Sequence, residues 1–474
     1  MVAARPVKWC AVPLSEIVSN DIRLEASVYG VEARTAKERV ISNANGFVCL
    51  MGEASSPVAN AFYGTRGKRN YVSETVPNAI GFLGSSEMLD CSPVPDKFMP
   101  ASAAEAFRIK QGMVLISRSG TIGNLAFANK TLSRFLVSEH AIRLECREYP
   151  GFVYAFLKSK EGQALVKACV FGSVILEIEP EHLAAIPVPN APDDVKKRIH
   201  EAIVRSYELR DESNELIARA RERLAEALDL PPLADFAESR TIPAEVPQTF
   251  DIRLKDLAGR FDVSYHLPVV RAVEERLRDH AAEVATVGGP RVSKRIILPG
   301  RFKRVYVEEG FGKVFIGGKQ LGELDPSNKK YLSVSHHGQR IDEQLTIREN
   351  MTLVTCSGTI GRVALVGRHW DGWTASQHIL RVVPSSRNIA GYLYVWLSSE
   401  WAKPLVVRNA YGAVIDEISD TQLAAVPVPL LKDLATQAEI NRLALEASAL
   451  RSEAYDLEQE ALRVMEDEVL SSGH

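Results

Sequence analysis

GMVLISRSGTIG at 112–123 returns as NMTLVTCSGTIG at 350–361, with Met113 matching Met351, Ser119 matching Ser357 and Gly123 matching Gly361, all at a separation of 238. Outward from this stretch the match continues: SEHAIRL (138–144) answers SQHILRV (376–382), and GFVYAFL (151–157) answers GYLYVWL (391–397). FGSVILEI (171–178) answers YGAVIDEI (411–418), and LAAIPVP (183–189) answers LAAVPVP (423–429). A unit of about 240 residues is a whole domain plus its connector, far longer than a solenoid repeat, so the chain is a tandem duplication rather than a repeat array. Two similar faces follow from a duplicated fold, and function is to be sought in what two faces do that one cannot.

The 474 residues, 46% hydrophobic, are enough for about three domains with real cores, and they exclude disordered and fibrous classes. Six cysteines (10, 49, 91, 146, 169, 356) show no C-x-x-C pairing, which points to reduced thiols in a cytoplasmic protein rather than a zinc site or a disulfide framework. MVAARPVKW at the start has no apolar export core, and no run approaches 18 apolar residues, so no membrane partner is expected. The net charge of -3 hides an uneven distribution: residues 286–340 hold eleven Lys and Arg against four Asp and Glu. Such a basic patch on a near-neutral chain suits a polyanion on one surface and a protein partner elsewhere.

Four segments alternate, domain with helix. Strand-like runs such as MVLIS, AIRLE and SVILEI, separated by Gly, Ser, Asn and Pro clusters, fill a first domain at 1–190, with a short amphipathic helix near 151–168. In the 191–230 segment, a charged helix without Pro or Gly is expected from Asp193 to about Leu228. Ile199, Ala202, Ser206, Leu209, Ser213, Leu216 and Ala220 step along it by three and four, a heptad seam. A Pro-containing linker at 231–250, built on PPLADFAESRTIPAEVPQ (231–248), leads to a second domain at 251–430. The last segment, 431–474, repeats the seam with Ile440, Leu443, Ala447, Leu450, Ala454, Leu457, Ala461 and Val464. Two matching seams in one chain most simply pair with each other, and antiparallel pairing follows from a pseudo-two-fold duplication. The alternative is that each helix covers only its own domain.

Two variable domains alternating with two long helices, each domain holding SGTIG and closing on G-x-V-I-x-x-I…IPVP, resemble the specificity (S) subunit of type I restriction-modification enzymes over nearly the whole chain. RLEASVY (23–29) and RFDVSYH (260–266) resemble the segment with which that family often begins a domain. The Glu-Gln pair common before each helix survives only as Gln437, with Lys196 and Lys197 in the first repeat. The resemblance implies α/β (α+β) target recognition domains in tandem, each reading half of a split DNA site. It also implies an antiparallel coiled coil that spaces them and docks two adenine-N6 methyltransferase subunits, with S-adenosylmethionine bound by those partners and no cofactor on this chain. A restriction or translocase subunit would join some such assemblies, and phage defence is the implied setting.

SGTIG has the wrong spacing for either G-x-x-x-x-G-K-[ST] or G-x-G-x-x-G, so it reads as a tight turn between strands, with Gly120, Gly123, Gly358 and Gly361 at positive φ. His140 and His378, each three residues before an Arg (143, 381), read as structural, since no second ligand recurs at metal spacing. No Asn-Pro-Pro-aromatic motif for adenine methylation occurs; DPSN (325–328) lacks the second Pro and the aromatic. Neither a nuclease-like constellation, a G-x-S-x-G elbow nor a Walker motif is present, so no metal is expected and the chain is read as non-catalytic.

GKRNYV (67–72) and FKRVYV (302–307) set Lys68, Arg69 and Tyr71 against Lys303, Arg304 and Tyr306. If the halves read different sequences, shared residues do common work such as holding phosphate, and divergent ones read bases. The divergent stretches 91–110 and 323–345 then supply the base-reading candidates Lys97, Arg108, Lys110, Lys329, Lys330, His336, His337, Gln339 and Arg340. Lys and Arg suit guanine O6/N7, and Gln suits adenine N6/N7. The reading is a DNA-recognition subunit for double-stranded DNA; its rivals are a stand-alone DNA-binding defence component without a methylating partner, and a protein-binding scaffold.

Overall fold

A computed structural model describes residues 11–19, 22, 24, 29–172, 176–236, 249–257, 259–326, 328–412 and 414–471. The start of the chain, most of RLEASVY, the end of the 231–248 linker, and parts of the FGSVILEI, YGAVIDEI and DPSN stretches lie outside the described residues. The chain divides into two units, residues 1–211 with 453–474, and residues 212–452. The division does not fall at the helix boundaries: each unit takes one globular domain and a part of both long helices.

In the first unit, an antiparallel sheet runs in the order Val58–Phe62, Ala141–Cys146, Val114–Ser117, Leu125–Phe127. MVLIS supplies its central strand, and Val114–Ser117 is buried on both faces, as a continuous apolar run requires. A second sheet runs Lys97–Pro100, Ala79–Leu83, Leu136–Val137, the last pair parallel. The IPVP stretch forms a two-stranded ribbon, Pro187–Pro189 with Phe47–Cys49. The second unit repeats this order with one strand more, Tyr306–Val307, where the first unit has only a bridge from Val72 to Phe98. Its sheets run Ser293–Ile297, Ile379–Pro384, Thr352–Thr355, Val363–Leu365 and Tyr306–Val307, Lys330–Ser333, Gly312–Ile316, Thr374–Ala375, and its ribbon is Glu283–Thr286 with Pro427–Leu430.

SGTIG is the turn between the paired strands in both units, and its four glycines stand at φ of +75°, +87°, +74° and +82°. A hydroxyl on the strand before it ties the turn: Ser117 Oγ donates to Thr121 O at 2.5 Å and accepts from Asn124 N–H at 2.9 Å. Thr355 does the same with Thr359 O at 2.5 Å and Arg362 N–H at 2.9 Å.

The first long helix spans Asp193–Leu228 and the second Leu434–Val464. Within the first unit they run antiparallel, since Arg198 pairs with Glu468, Arg210 pairs with Glu458, and Ser206 Oγ donates to Ala454 O at 2.7 Å. Within the second unit, Arg451 donates to Ser213 Oγ at 3.1 Å and Asn214 Oδ1 at 3.0 Å. The expected seam needs correction. Ile199, Leu209, Ile440 and Leu443 are buried, but Ala202, Leu216, Leu450, Leu457 and Val464 are only half-buried, while Ile203, Ile217, Glu458 and Met465 are fully enclosed. The reason is that each helix packs on its own domain as well as on the other helix. Ile199, Ile203 and Tyr207 share one core with Phe152, Tyr154, Ala461 and Met465; Ile217, Ala220 and Leu224 share another with Tyr392, Trp396, Ile440 and Ala447. A face that meets two neighbours is wider than a two-position stripe.

Where domain and long helix meet, glycine is required. A Cβ on Gly151 would lie 2.8 Å from His200 O, and one on Gly391 would lie 2.4 Å from Asn441 O. The same residues close the hydrogen-bonding: Gly151 N–H donates to His200 Nδ1 at 3.1 Å, and Gly391 N–H to Asn441 Oδ1 at 2.8 Å. Gly151 is in the first turn of the helix Pro150–Lys158, where its amide has no carbonyl partner within the helix; Gly391 is the fifth residue of Arg387–Leu397.

Candidate nucleic-acid interface

The short sheet of each domain fixes a mixed stack of cations and aromatic rings. In the first domain Phe82 pairs in register with Lys97, and Val72 bridges to Phe98, so the segment carrying Arg69 and Tyr71 lies across that sheet edge. The Arg69 guanidinium sits 5.2 Å from the Phe82 ring centroid, Tyr71 meets Phe82 edge-on at 5.8 Å, and Lys97 Nζ lies 5.3 Å from the Tyr71 ring. The second domain builds the same set on the Phe315–Lys330 register pair. Arg304 lies 5.4 Å from Phe315, Tyr306 meets Phe315 edge-on at 5.9 Å, and Lys330 Nζ is 5.4 Å from Tyr306. Each cation–ring contact contributes only about 0.5–1 kcal/mol at an exposed site, but together they restrict long side chains that would otherwise be free. Lys68 and Lys303 flank the stacks, exposed and without a carboxylate partner among the described residues.

This geometry regroups the candidates. Lys97 and Lys330 were separated from the Lys-Arg-x-Tyr pairs because their local sequences differ, yet they occupy equivalent places and belong with the shared set. Phe82 and Phe315, at the centre of each stack, went unnoticed because an apolar residue on a strand reads as core.

The other candidates are differently placed. Lys329 pairs with Asp325 at 2.5 Å and lies 5.6 Å from the Trp373 ring. His337 Nε2 accepts from Val305 N–H at 3.2 Å and packs on Phe302, and burial holds its pKa below the usual value. Arg340 lies over the same Phe302 ring and donates to Gly300 O at 3.2 Å. His337 and Arg340 brace the loop that carries Arg304. His336 and Gln339 are exposed on the helix Val334–Arg340, His336 near Ser333 Oγ at 3.0 Å and Gln339 donating to Glu343 at 3.0 Å. In the first domain, Arg108 reaches Glu105 at 3.4 Å and Lys110 reaches Glu145 at 3.9 Å, both exposed.

Around the SGTIG turns, His140 Nδ1 lies 2.6 Å from Ser119 Oγ, whereas His378 lies 3.3 Å from Gln377 and is held below its usual pKa by burial and then by Arg304. Arg143 and Arg381 are entirely buried and donate only to carbonyls. Arg143 reaches Arg108 O (3.3 Å), Phe107 O (3.1 Å), Ala141 O (2.9 Å) and Val137 O; Arg381 reaches Ser376 O (3.0 Å), Leu345 O (3.3 Å), Ile379 O and Ala375 O. Burial lowers Arg143 to about 10 and Arg381 to about 9, so both stay charged at neutral pH.

The repeated FGSVILEI and YGAVIDEI stretches carry isolated bridges where a strand was expected at SVILEI: Phe171 with Glu177 and Tyr411 with Glu417, and both glutamates bridge to SGTIG at Ser119 and Ser357. Arg66 holds Glu177 at 3.0 Å and Arg301 holds Glu417 at 2.9 Å, which sets each bridge beside the segment bearing Arg69 or Arg304. Leu176, Val414 and Ile415 are exposed, Val414 at 95%. The signal was in the sequence: Arg66 and Arg301 stand three residues before matched arginines.

Among the described residues no group of three or more His, Cys, Asp and Glu is placed to hold a metal ion, and no helix is long and apolar enough to cross a membrane. No family model and no curated protein matches the chain. Solved structures do match. The type I restriction-modification system S subunit from M. genitalium is 13% identical, with a TM-score of 0.31, over 87% of this chain and 93% of that one. The HsdS subunit from Thermoanaerobacter tengcongensis is 12% identical, with a TM-score of 0.27, over 83% and 91%. A chain from a structure describing complex assembly and conformational transition of the type I R-M system is 14% identical, with a TM-score of 0.28, over 89% and 99%. Solved structures from type I restriction-modification systems, two of them S (HsdS) subunits, are thus among those to which this chain is similar.

Proposed function

We propose that this chain is the DNA sequence-recognition subunit of a type I-like restriction-modification or related phage-defence complex. Each domain reads one half of a bipartite, asymmetric site, and the paired helices carry adenine-N6 methyltransferase subunits that bring S-adenosylmethionine and the chemistry. The observation that carries this reading is the twice-built stack of Arg, Tyr, Phe and Lys, one per domain, each setting cations on a sheet edge. Phosphate contacts position a protein on duplex, and identical stacks suit that shared work. Divergent neighbours such as His336 and Gln339 then have the donors to distinguish bases.

A helix of 36 residues is about 54 Å long at roughly 1.5 Å per residue, or about 15 base pairs, which bounds the gap between half-sites from above. The test is a genome-wide map of methylated adenines in cells with and without the chain. A split motif that disappears with the chain supports the reading, and an unchanged methylome overturns it. Fluorescence anisotropy with a mixed-sequence duplex separates it from a protein-only scaffold. Co-purification with a protein bearing an Asn-Pro-Pro-aromatic motif separates it from a stand-alone DNA-binding component.

A further inference from the structure

We infer that Glu139 sets the first domain's grip on the DNA backbone below that of the second, by occupying a guanidinium that the second domain leaves for phosphate. The inference rests on the proposed DNA-recognition role and adds to it an inequality between the two domains.

Arg69 and Arg304 share their ring contacts and differ in their polar ones. Each lies on its phenylalanine, two residues before the tyrosine that meets the same ring, with a lysine on that tyrosine. In the first domain, Arg69 Nη2 pairs with Glu139, whose side chain is 8% exposed, and Nη1 donates to Tyr71 Oη at 3.1 Å. Both terminal nitrogens are therefore engaged. A phosphate approaching Arg69 meets a guanidinium already neutralised, and a carboxylate beside it that repels the incoming anion. At the matching position, 238 residues on, the second domain has Gln377. Gln377 is neutral, and no carboxylate pairs with Arg304 among the described residues. Lys303, Arg304 and Lys330 thus act with full charge, whereas Lys68, Arg69 and Lys97 act with one cation cancelled.

Counterion release makes this measurable, because each phosphate neutralised adds about 0.9 to the slope of log affinity against log salt. The experiment titrates a mixed-sequence duplex with the full chain by fluorescence anisotropy from low to moderate salt, using wild type, Glu139→Gln, Gln377→Glu and Arg304→Gln. Glu139→Gln is expected to steepen the slope by about one and to tighten low-salt binding several-fold. Gln377→Glu and Arg304→Gln are expected each to flatten it by a similar amount. Glu139→Gln preserves side-chain shape, and its thermal unfolding reports whether the fold is retained; should Gln377→Glu fail to fold, Glu139→Gln and Arg304→Gln still carry the comparison. Salt-dependent binding with the same slope in wild type and Glu139→Gln overturns the inference and leaves the DNA-recognition reading standing. Absence of duplex binding in every variant removes both.

Discussion

Arg143 and Arg381 show how far a single residue can be from what its type suggests. Each guanidinium supplies N–H groups to four carbonyls around the end of a central strand. Leaving even two buried carbonyls unpaired costs about 1–3 kcal/mol each, so Arg143→Met is expected to lower the unfolding free energy of the first unit by roughly 3–5 kcal/mol. Arg143→Lys is not expected to restore it, because one ammonium cannot reproduce the planar fork. Urea denaturation of the three proteins checks this; a loss below about 1 kcal/mol for Arg143→Met would contradict it. His200 makes a second residue-scale case. Its Nδ1 accepts the Gly151 amide, and burial holds its pKa below 6.5. A histidine with a lowered folded-state pKa leaves the unfolded chain holding more protons below 6.5, so stability is full above that pH and is lost as pH falls through the folded value. Protonation would set a donor against a donor. His200→Asn, the residue found at the matching place in the second repeat, is expected to flatten the fall in melting temperature of the first unit between pH 7.5 and 5.5.

At the scale of elements, the long helices are tuned differently in the two units. In the first unit Glu458 is wholly buried and accepts from Tyr154 Oη and Lys158 Nζ, both at 2.6 Å, and from Arg210. Arg210 also lies 3.9 Å from the Tyr207 ring. The corresponding cation of the second unit, Arg451, instead meets Ser213, Asn214 and Tyr394, and the place of Glu458 is taken by Ile217. A buried carboxylate held by two cations permits few alternative registers, since a slip would leave charges unpaired. Glu458→Leu is expected to destabilise the first unit by about 3–5 kcal/mol, because it strands Arg210 and Lys158 in the core. Replacing Lys158 and Arg210 together with Glu458 by apolar residues is expected to recover much of that loss. Equal unfolding curves for Glu458→Leu and wild type would show that the network contributes nothing. The periodicity of 193–228 made the helix legible, but not which residues of its wide face would be enclosed. Ile203 and Ile217 look outward from a two-position stripe, and only the domain packed against them makes them core.

For the whole molecule, the repeated strand order was legible because matched residues such as Met113 and Met351 recur at matched spacing. The cation–aromatic stacks were half legible. Lys-Arg-x-Tyr could be seen twice, but Phe82 and Lys97 reach Arg69 and Tyr71 only through sheet register, which no local window contains. The contrast between SEHAIRL and SQHILRV was visible as a difference, and its meaning appeared only when Glu139 was found on Arg69. These features bear on how tightly the chain binds as a unit. Its net charge is -3, one stack is partly neutralised, and exposed acidic side chains are plentiful on the helices. Long-range repulsion of a polyanion therefore opposes the local attraction of the stacks, while salt screens both within about 10 Å at 0.1 M. The isolated chain is expected to bind even the proposed bipartite site weakly, at about micromolar or poorer affinity in roughly 150 mM salt. Should the proposed methyltransferase partners supply further phosphate contacts, affinity is expected to rise by at least about a hundredfold and the salt slope to steepen. Anisotropy titrations at three salt concentrations, with and without the co-purified partner, measure both quantities. Nanomolar binding by the chain alone, with a slope that the partner does not change, would mean that its own two domains make the whole contact and that the partner adds chemistry but no grip.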